Sequence, residues 1–109
     1  MTTTKILLQK YRTPNSKVFT GRDRGIQVRN ESNINSIETT SEIIEIFIPA
    51  DIRSINPSFL EEFLNDVVLK LGSDVFFKKI KFISEGRYNV TPDLEEAIQS
   101  ILREETALV

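Results

Sequence analysis

The chain has neither histidine nor cysteine among its 109 residues. Histidine is the commonest general base and metal ligand, and cysteine is the usual thiol nucleophile and soft metal ligand. Most nucleophilic and metal-dependent enzymes rely on these side chains. The remaining residues offer no complete set of acid, base and nucleophile. We therefore expect no catalytic residue, no metal site and no cofactor.

Long apolar runs are also missing. No stretch approaches the roughly 20 apolar residues of a transmembrane helix, and residues 1–5 lack the apolar segment of a secretion signal. The expected location is therefore the cytoplasm, with no membrane contact, and the absence of cysteine agrees with this. With 39% hydrophobic and 28% charged residues, the composition is that of a globular protein. The length predicts one domain over residues 1–109.

The net charge of −2 conceals an asymmetry along the chain. Residues 1–31 carry seven basic and two acidic side chains, whereas residues 32–109 carry seven basic and fourteen acidic ones. A basic N-terminal third favours nucleic-acid binding as an alternative function. Mutual neutralisation of the two parts across the fold is equally compatible with these numbers.

Apolar periodicity and capping residues predict alternating strands and helices. A first strand is predicted over residues 5–9, and residues 17–20 should pair back on it as a second strand. A helix capped by Thr20 is predicted over residues 21–33, and the polar segment 33–41 is predicted to be a loop. Residues 43–48 form the clearest strand. Because their alternate side chains are mostly apolar on both sides, this strand should lie mid-sheet, covered on both faces, and end at Pro49.

A helix should follow, with Asn56 as its N-cap and Pro57 at its first position. Apolar side chains at helical spacing form the buried stripe of this helix, which consists of Phe59, Leu60, Phe63, Leu64, Val67, Val68 and Leu71. Gly72 should end the helix. A short turn over residues 73–79 and a strand over residues 80–83 come next. Thr91 should then cap a final helix, whose tail is expected to fray over residues 104–109. The predicted fold class is α/β, with a mixed, mostly parallel sheet flanked by helices.

The loops after residues 48 and 83 should meet at one edge of this sheet. Carboxyl ends of parallel strands are where open α/β sheets bind ligands. The candidate partner-binding residues belong to these loops or to the helix start between them: Arg53, Ser54, Asn56, Ser58, Glu62, Arg87 and Tyr88. The spacing puts Ser58 on the outer helix face, so its hydroxyl should be exposed. A phosphate there would meet free backbone N–H groups, which makes Ser58 a candidate phosphorylation site. An ordinary helix-start serine fits the position equally.

A second candidate is the segment 21–25 with the arginines in and after it, Arg22, Arg24 and Arg29. Its two glycines give backbone freedom, and arginine can hold a carboxylate or phosphate with two parallel hydrogen bonds. The segment lacks the lysine and the strand–turn–helix context of a phosphate-binding loop. Either an anion contact or structural pairing with acidic residues is compatible with it.

Together these pieces resemble the STAS-like domain family of bacteria, over residues 17–102. The resemblance is carried by Gly21-Arg22 with Gly25 and Arg29, by the strand 43–48, by Pro57-Ser58-Phe59 with Glu61, Glu62 and Phe63, and by Phe77-Lys78-Lys79-Ile80-Lys81-Phe82. It implies a single STAS-like domain, distantly related to anti-sigma factor antagonists. Those proteins hold a kinase-like ATPase and release it when a serine near this helix start is phosphorylated.

The expected function is therefore that of a non-enzymatic protein-binding regulatory module. Its expected partner is a protein, with a kinase-like ATPase as the first candidate. An accessory subunit of a bacterial regulatory or defence complex would have the same character. Nucleic-acid binding through the basic N-terminal third is the alternative, and it rests only on the charge asymmetry.

Overall fold

The computed structural model describes residues 2–107 and has the predicted α/β class. Its elements in chain order are β1 (Thr3–Leu7), a 3-10 helix (Leu8–Tyr11), β2 (Val18–Phe19), α1 (Arg22–Ser32), α2 (Ile34–Thr40), β3 (Ile43–Ile48), β4 (Ser54–Ile55), α3 (Pro57–Lys79), β5 (Ile80–Ser84) and α4 (Thr91–Ala107). None of the helices within these residues is long and apolar enough to cross a membrane.

The main sheet has three parallel strands in the order β1-β3-β5. In the central strand, Ile46 pairs with Ile6 on one side and with Phe82 on the other. The predicted mid-sheet position of residues 43–48 and their parallel pairing with residues 80–83 are both confirmed. The continuous apolar character of β3 suits this position, because Ile44, Ile46 and Ile48 are fully buried.

The predicted pairing of residues 17–20 with the first strand is wrong. β2 instead pairs in parallel with β4, and backbone bonds extend the ladder from Arg53 N–H to the Lys17 carbonyl (2.7 Å) and from Asn56 N–H to the Phe19 carbonyl (2.8 Å). The reason is the Phe19 side chain. Its buried ring packs against Phe59 at the start of α3, with ring centroids 5.2 Å apart, and this contact holds β2 away from β1.

The helices lie on one face of the main sheet. The strand order is β1-β3-β5, so each connection leads to the neighbouring strand in the same direction across the sheet. Because connections between parallel strands are right-handed, both connections place their helices on the same side of the sheet. Strand residues on that side, such as Ile6, Ile46 and Ile80, join α1, α2, α3 and α4 in one hydrophobic core. The expectation that β3 is covered on both faces is therefore wrong for the described residues.

α3 is the central helix, between α1 and α4. α1 approaches it closely at Gly25, where a Cβ atom would lie 2.4 Å from the carbonyl oxygen of Phe59. Gly25 thus serves close packing, not the predicted backbone freedom. Gly21 (φ +94°) does require a glycine's freedom, and it is Gly21, not the predicted Thr20, that is the N-cap of α1.

The predicted loop over residues 33–41 is also wrong, because most of it forms α2. Asn33, in the left-handed region at φ +58°, joins α1 to α2. Ile34 is fully buried, and the buried Glu38 carboxylate binds Lys70 and Lys79 of α3, each at 2.7 Å. These tertiary contacts stabilise a helix that the polar composition of the segment does not indicate.

The predicted start of α3 is confirmed. The Asn56 side chain accepts a hydrogen bond from the Ser58 N–H (2.8 Å), and Pro57 occupies the first turn. The apolar stripe is buried as predicted, apart from Leu71, which is partly buried. Gly72 (φ +78°, ψ 166°) interrupts the helix, but helical structure resumes and continues to Lys79. The predicted turn over residues 73–79 is therefore helical, and it buries Phe76.

α4 begins one residue earlier than predicted. Its first intrahelical bond runs from the Leu94 N–H to the Val90 carbonyl (2.8 Å), and the Thr91 N–H donates to the Asn89 side chain (3.1 Å). Thr91 is thus a helical residue and not the cap. The segment 104–109, expected to fray, is helical as far as Ala107, and residues 108–109 lie outside the described residues.

Candidate functional site

The loops after β3 and β5 meet at the carboxyl edge of the sheet, as predicted. The Glu85 N–H donates to the Ile48 carbonyl at 2.9 Å. Gly86 packs so tightly on Ala50 that a Cβ atom would lie 2.1 Å from the Ala50 carbonyl oxygen. Any larger residue at position 86 would force the two loops apart. The edge is therefore held in a fixed shape by backbone contacts.

These loops and the segment before β2 enclose an open cleft of about 670 Å³, which we call the edge cleft. Its lining residues are Lys17, Ala50, Asp51, Ile52, Arg53, Gly86, Arg87 and Tyr88. The volume is within the range of small-molecule sites. The structure thus brings together three of the predicted binding residues, Arg53, Arg87 and Tyr88.

The edge cleft is cationic. Lys17, Arg53 and Arg87 line it, and Asp51 is the one acidic residue in its lining. Arg12 binds the Asp51 carboxylate with both terminal nitrogens, at 2.8 and 2.9 Å. These hydrogen bonds lower the pKa of Asp51, with a smaller effect from the Lys17 charge. Arg12 therefore offsets the charge of Asp51, and the three other cations face the cleft.

Tyr88 is a fixed wall of the edge cleft. Its hydroxyl donates to the Asp93 carboxylate at 2.5 Å and lies 3.3 Å from the Ile55 carbonyl oxygen. Burial, reinforced by the bond to Asp93, raises the pKa of Tyr88 above its ordinary value. The phenol is a hydrogen-bond donor whose partner is already in place.

The residues predicted at the helix start lie beside the edge cleft and outside its lining. Asn56 is occupied as the cap of α3, and Ser58, on the first turn, is half-buried where an exposed side chain was expected. Ser54 pairs with Val18 in the ladder of β2 and β4. Glu62 is turned toward α1, with its carboxylate 3.4 Å from Arg22. These four residues therefore do not line the edge cleft, and their predicted role in binding a partner stays a prediction.

The three arginines of α1 make structural contacts. Arg22 lies 3.6 Å from Glu61 and 3.4 Å from Glu62, while Arg29 donates to the Glu62 backbone carbonyl at 2.8 Å. Arg24 donates to the side chains of Gln27 and Thr13. Of the two interpretations that the sequence leaves open, structural pairing is the one these contacts support.

A second surface is the face of the main sheet opposite the helices. We call it the open sheet face; its residues are Lys5, Leu7, Ile43, Glu45, Phe47, Lys81 and Ile83. The strand register puts Leu7, Phe47 and Ile83 side by side in one row, and Lys5, Glu45 and Lys81 in the next. Leu7 is 43% exposed, and Phe47 and Ile83 are half-buried. Parallel sheets are normally covered on both faces.

The sequence did not place Lys17, Arg12 and Asp51 at this edge of the sheet, and it did not reveal the apolar row of the open sheet face. Asp51 carried a usable signal, because it follows the end of β3 by only three residues. Arg12 carried none, since its partner is 39 residues away.

The chain matches no protein-family model, no curated protein and no solved structure. Within residues 2–107, no group of three or more acidic side chains could hold a metal ion. The fold and the site define an α/β protein with a cationic cleft at the carboxyl edge of its sheet and an open sheet face beside it.

Proposed function

We propose that this protein is a non-enzymatic protein-binding module. The observation that carries the proposal is the apolar row Leu7, Phe47 and Ile83, which lies on the face of the parallel sheet opposite the buried strand residues. Contiguous exposed apolar surface on a folded protein commonly marks an interaction site. A bound partner would supply the missing layer of the sheet.

The dimensions of the open sheet face fit one helix. Three strands spaced by about 4.8 Å form a surface roughly 10–15 Å wide, close to the diameter of one α-helix. With strands of five or six residues, its area is on the order of 300 Å². A stable dimer interface needs about 800 Å² on each partner. This face therefore suits a helix of a partner better than a second copy of the chain.

The charges on the open sheet face indicate the character of that helix. Lys5 and Lys81 lie on the two outer strands, and Glu45 lies between them. A complementary helix has an apolar stripe flanked by acidic residues. Its stripe would pack on the apolar row that contains Phe47, and its carboxylates would lie near Lys5 and Lys81. The small area predicts a weak and reversible contact, as in many regulatory complexes.

The resemblance to STAS-like domains extends this proposal. It supports a regulatory role in the cytoplasm, a kinase-like ATPase as the first partner to test, and a partner contact that reaches the start of α3 near Ser58. The parallel pair β3 and β5, joined by a helix with Pro57 at its first position, is compatible with this family.

Nucleic-acid binding is less well supported than protein binding. It rested on the basic N-terminal third, where Arg12, Arg22 and Arg29 lie close to carboxylates of the fold itself. Ion pairs of this kind offset part of the basic charge. Retention on DNA or RNA at low salt, with a slope that falls by about one unit for each basic residue neutralised, would restore the nucleic-acid interpretation.

The test is a titration of a purified kinase-like ATPase, the first candidate partner, against matched variants of this protein. Leu7→Thr with Ile83→Thr removes apolar surface and keeps residues that favour strands. Val75→Thr is the control, because Val75 is 46% exposed on α3, away from the open sheet face. We expect the double variant to bind at least tenfold more weakly, with the control and the melting temperatures unchanged. Equal affinity of the double variant and the wild type would contradict the proposal.

A further inference from the structure

We propose that the edge cleft binds a phosphate monoester carried by a small organic molecule. This inference goes beyond protein binding, because it concerns a different surface and a different class of ligand. It rests on the charge, the fixed shape and the lining of the edge cleft.

The charge of the edge cleft matches a phosphate monoester. Lys17, Arg53 and Arg87 come from three separate segments, and all three line the edge cleft. Among the side chains of residues 2–104, none of these three cations lies within 4.0 Å of an acidic group. The Arg12–Asp51 pair adds no net charge. A phosphate monoester carries about −1.5 to −2 charges at neutral pH, and arginine binds its oxygens with two parallel hydrogen bonds.

The edge cleft is preorganised for a ligand. The Arg53 N–H donates to the Lys17 carbonyl at 2.7 Å, which ties together the segments that carry two of the cations. The third segment is pinned where Gly86 packs on Ala50. A site whose backbone is already fixed loses little backbone entropy when a ligand binds. The free energy gained between the cations and an anion is therefore not reduced by the cost of ordering these loops.

The size and lining of the edge cleft favour an organic ligand over a bare anion. The volume of about 670 Å³ is large enough for a drug-sized molecule. The Tyr88 ring, whose hydroxyl is held by Asp93, provides an apolar wall. The position also agrees with the general rule that open α/β sheets bind ligands outside the carboxyl ends of their strands.

The test is an NMR titration of the full chain at low salt, with ribose 5-phosphate, ribose, inorganic phosphate and a short phosphoserine peptide as probes. We expect saturable shifts of the Arg53, Gly86 and Arg87 amides with ribose 5-phosphate. Inorganic phosphate should bind more weakly, and ribose should cause no shift. Arg53→Gln and Arg87→Gln should each weaken binding of ribose 5-phosphate at least fivefold. Arg103→Gln, on the exposed side of α4, should leave it unchanged.

Three results would overturn this inference. One is the absence of saturable shifts with every phosphate probe. Another is unchanged binding in the combined Arg53→Gln and Arg87→Gln variant. The third is tighter binding of inorganic phosphate or of the phosphoserine peptide than of ribose 5-phosphate, which would identify another phosphate source. The Leu7→Thr and Ile83→Thr variant should still bind ribose 5-phosphate, so failure of the protein-binding proposal is distinguishable from failure of this one.

Discussion

Gly25 is the residue at which α1 and α3 approach most closely. A Cβ atom there would lie 2.4 Å from the Phe59 carbonyl oxygen and 2.9 Å from the Glu62 Cβ. Alanine is the better helix former by about 1 kcal/mol, but a clash with backbone cannot be relieved by a change of rotamer. We expect Gly25→Ala to lower the free energy of unfolding by about 1–3 kcal/mol, measured in urea.

Asn30→Ala is the matched control for this prediction, since Asn30 is an exposed residue of the same helix. Its effect should stay within about 0.5 kcal/mol. A Gly25→Ala protein as stable as the wild type would show that the two helices are not in close contact here.

Among residues 2–104, Glu38 is the most buried charged residue, at 3% exposure. Burial alone would raise the pKa of Glu38, but hydrogen bonds from Lys70 and Lys79 outweigh it, so the pKa lies below the ordinary value of 4.5. The resulting stabilisation is complete above the unfolded-state pKa and is lost as the pH falls through the lowered folded-state value. Both lysines reach solvent, so we expect Glu38→Gln to cost about 1–3 kcal/mol at neutral pH, less than a fully buried pair would.

Urea titrations between neutral pH and pH 3 measure this effect. The stability of the wild type should fall more steeply below pH 4.5 than that of Glu38→Gln. Glu31→Gln, which changes an exposed glutamate of α1, should follow the wild type. Parallel acid curves for Glu38→Gln and the wild type would show that the ion pairs do not stabilise the fold.

Ser58 carries the prediction of a phosphorylation switch. Its backbone N–H is capped by Asn56, and it lies on the first turn of α3, where an acidic residue interacts favourably with the helix dipole. We expect Ser58→Glu to weaken binding of the partner with little change in melting temperature, and Ser58→Ala to bind normally, in titrations against the purified ATPase. Wild-type affinity of Ser58→Glu would confine the partner contact to the open sheet face and exclude the switch.

At the scale of elements, α3 consists of two helical segments joined at Gly72. The backbone angles there, φ +78° and ψ 166°, belong to a region that only glycine adopts readily. Nothing lies within 4 Å of a Cβ built on Gly72, so a substitution meets conformational strain without a steric clash. We expect Gly72→Ala to lower the free energy of unfolding by about 1–3 kcal/mol.

Ser73→Ala, one residue further along the same helix, is the control and should change stability by less than about 0.5 kcal/mol. Denaturation in urea with detection by circular dichroism measures both variants. A stable Gly72→Ala protein with added helical signal would indicate that α3 can straighten, and that the break is not required by the fold.

Elements with strong local signals could be predicted from the sequence. β3 is an almost continuous apolar strand. Asn56 and Pro57 mark the start of α3 through local capping, which does not depend on contacts with distant residues. α2 could not be predicted, because it depends on Glu38 meeting Lys79, 41 residues away. The pairing of β2 with β4 likewise depends on the distant contact between Phe19 and Phe59.

The candidate site could likewise be predicted only where a local or topological rule applies. The rule that parallel strands end at a common edge brings Arg53, Arg87 and Tyr88 together. Arg12 pairs with Asp51 and so offsets the one acidic charge in the lining of the edge cleft. This pairing could not be predicted from the sequence, because the two residues are 39 positions apart. The open sheet face was missed because the apolar side chains of β3 on that side, such as Phe47, predict a covered strand.

At the scale of the whole molecule, the two oppositely charged parts of the chain pair with each other. Arg12 binds Asp51, Arg22 approaches Glu62, and Arg29 lies 3.9 Å from Asp66. Much of the basic charge of the N-terminal third is therefore used within the fold. What remains available to partners is the apolar open sheet face and the cations of the edge cleft.

The central claim, that a protein partner covers the open sheet face, is tested most directly by an NMR titration of the methyl-labelled protein with the purified kinase-like ATPase. The methyl groups of Leu7 and Ile83 report on this face, and those of Leu69 and Val75, exposed on α3, report on apolar surface elsewhere. We predict that the signals of Leu7 and Ile83 shift or broaden on binding while those of Leu69 and Val75 do not. Changes confined to Leu69 and Val75 would contradict the account.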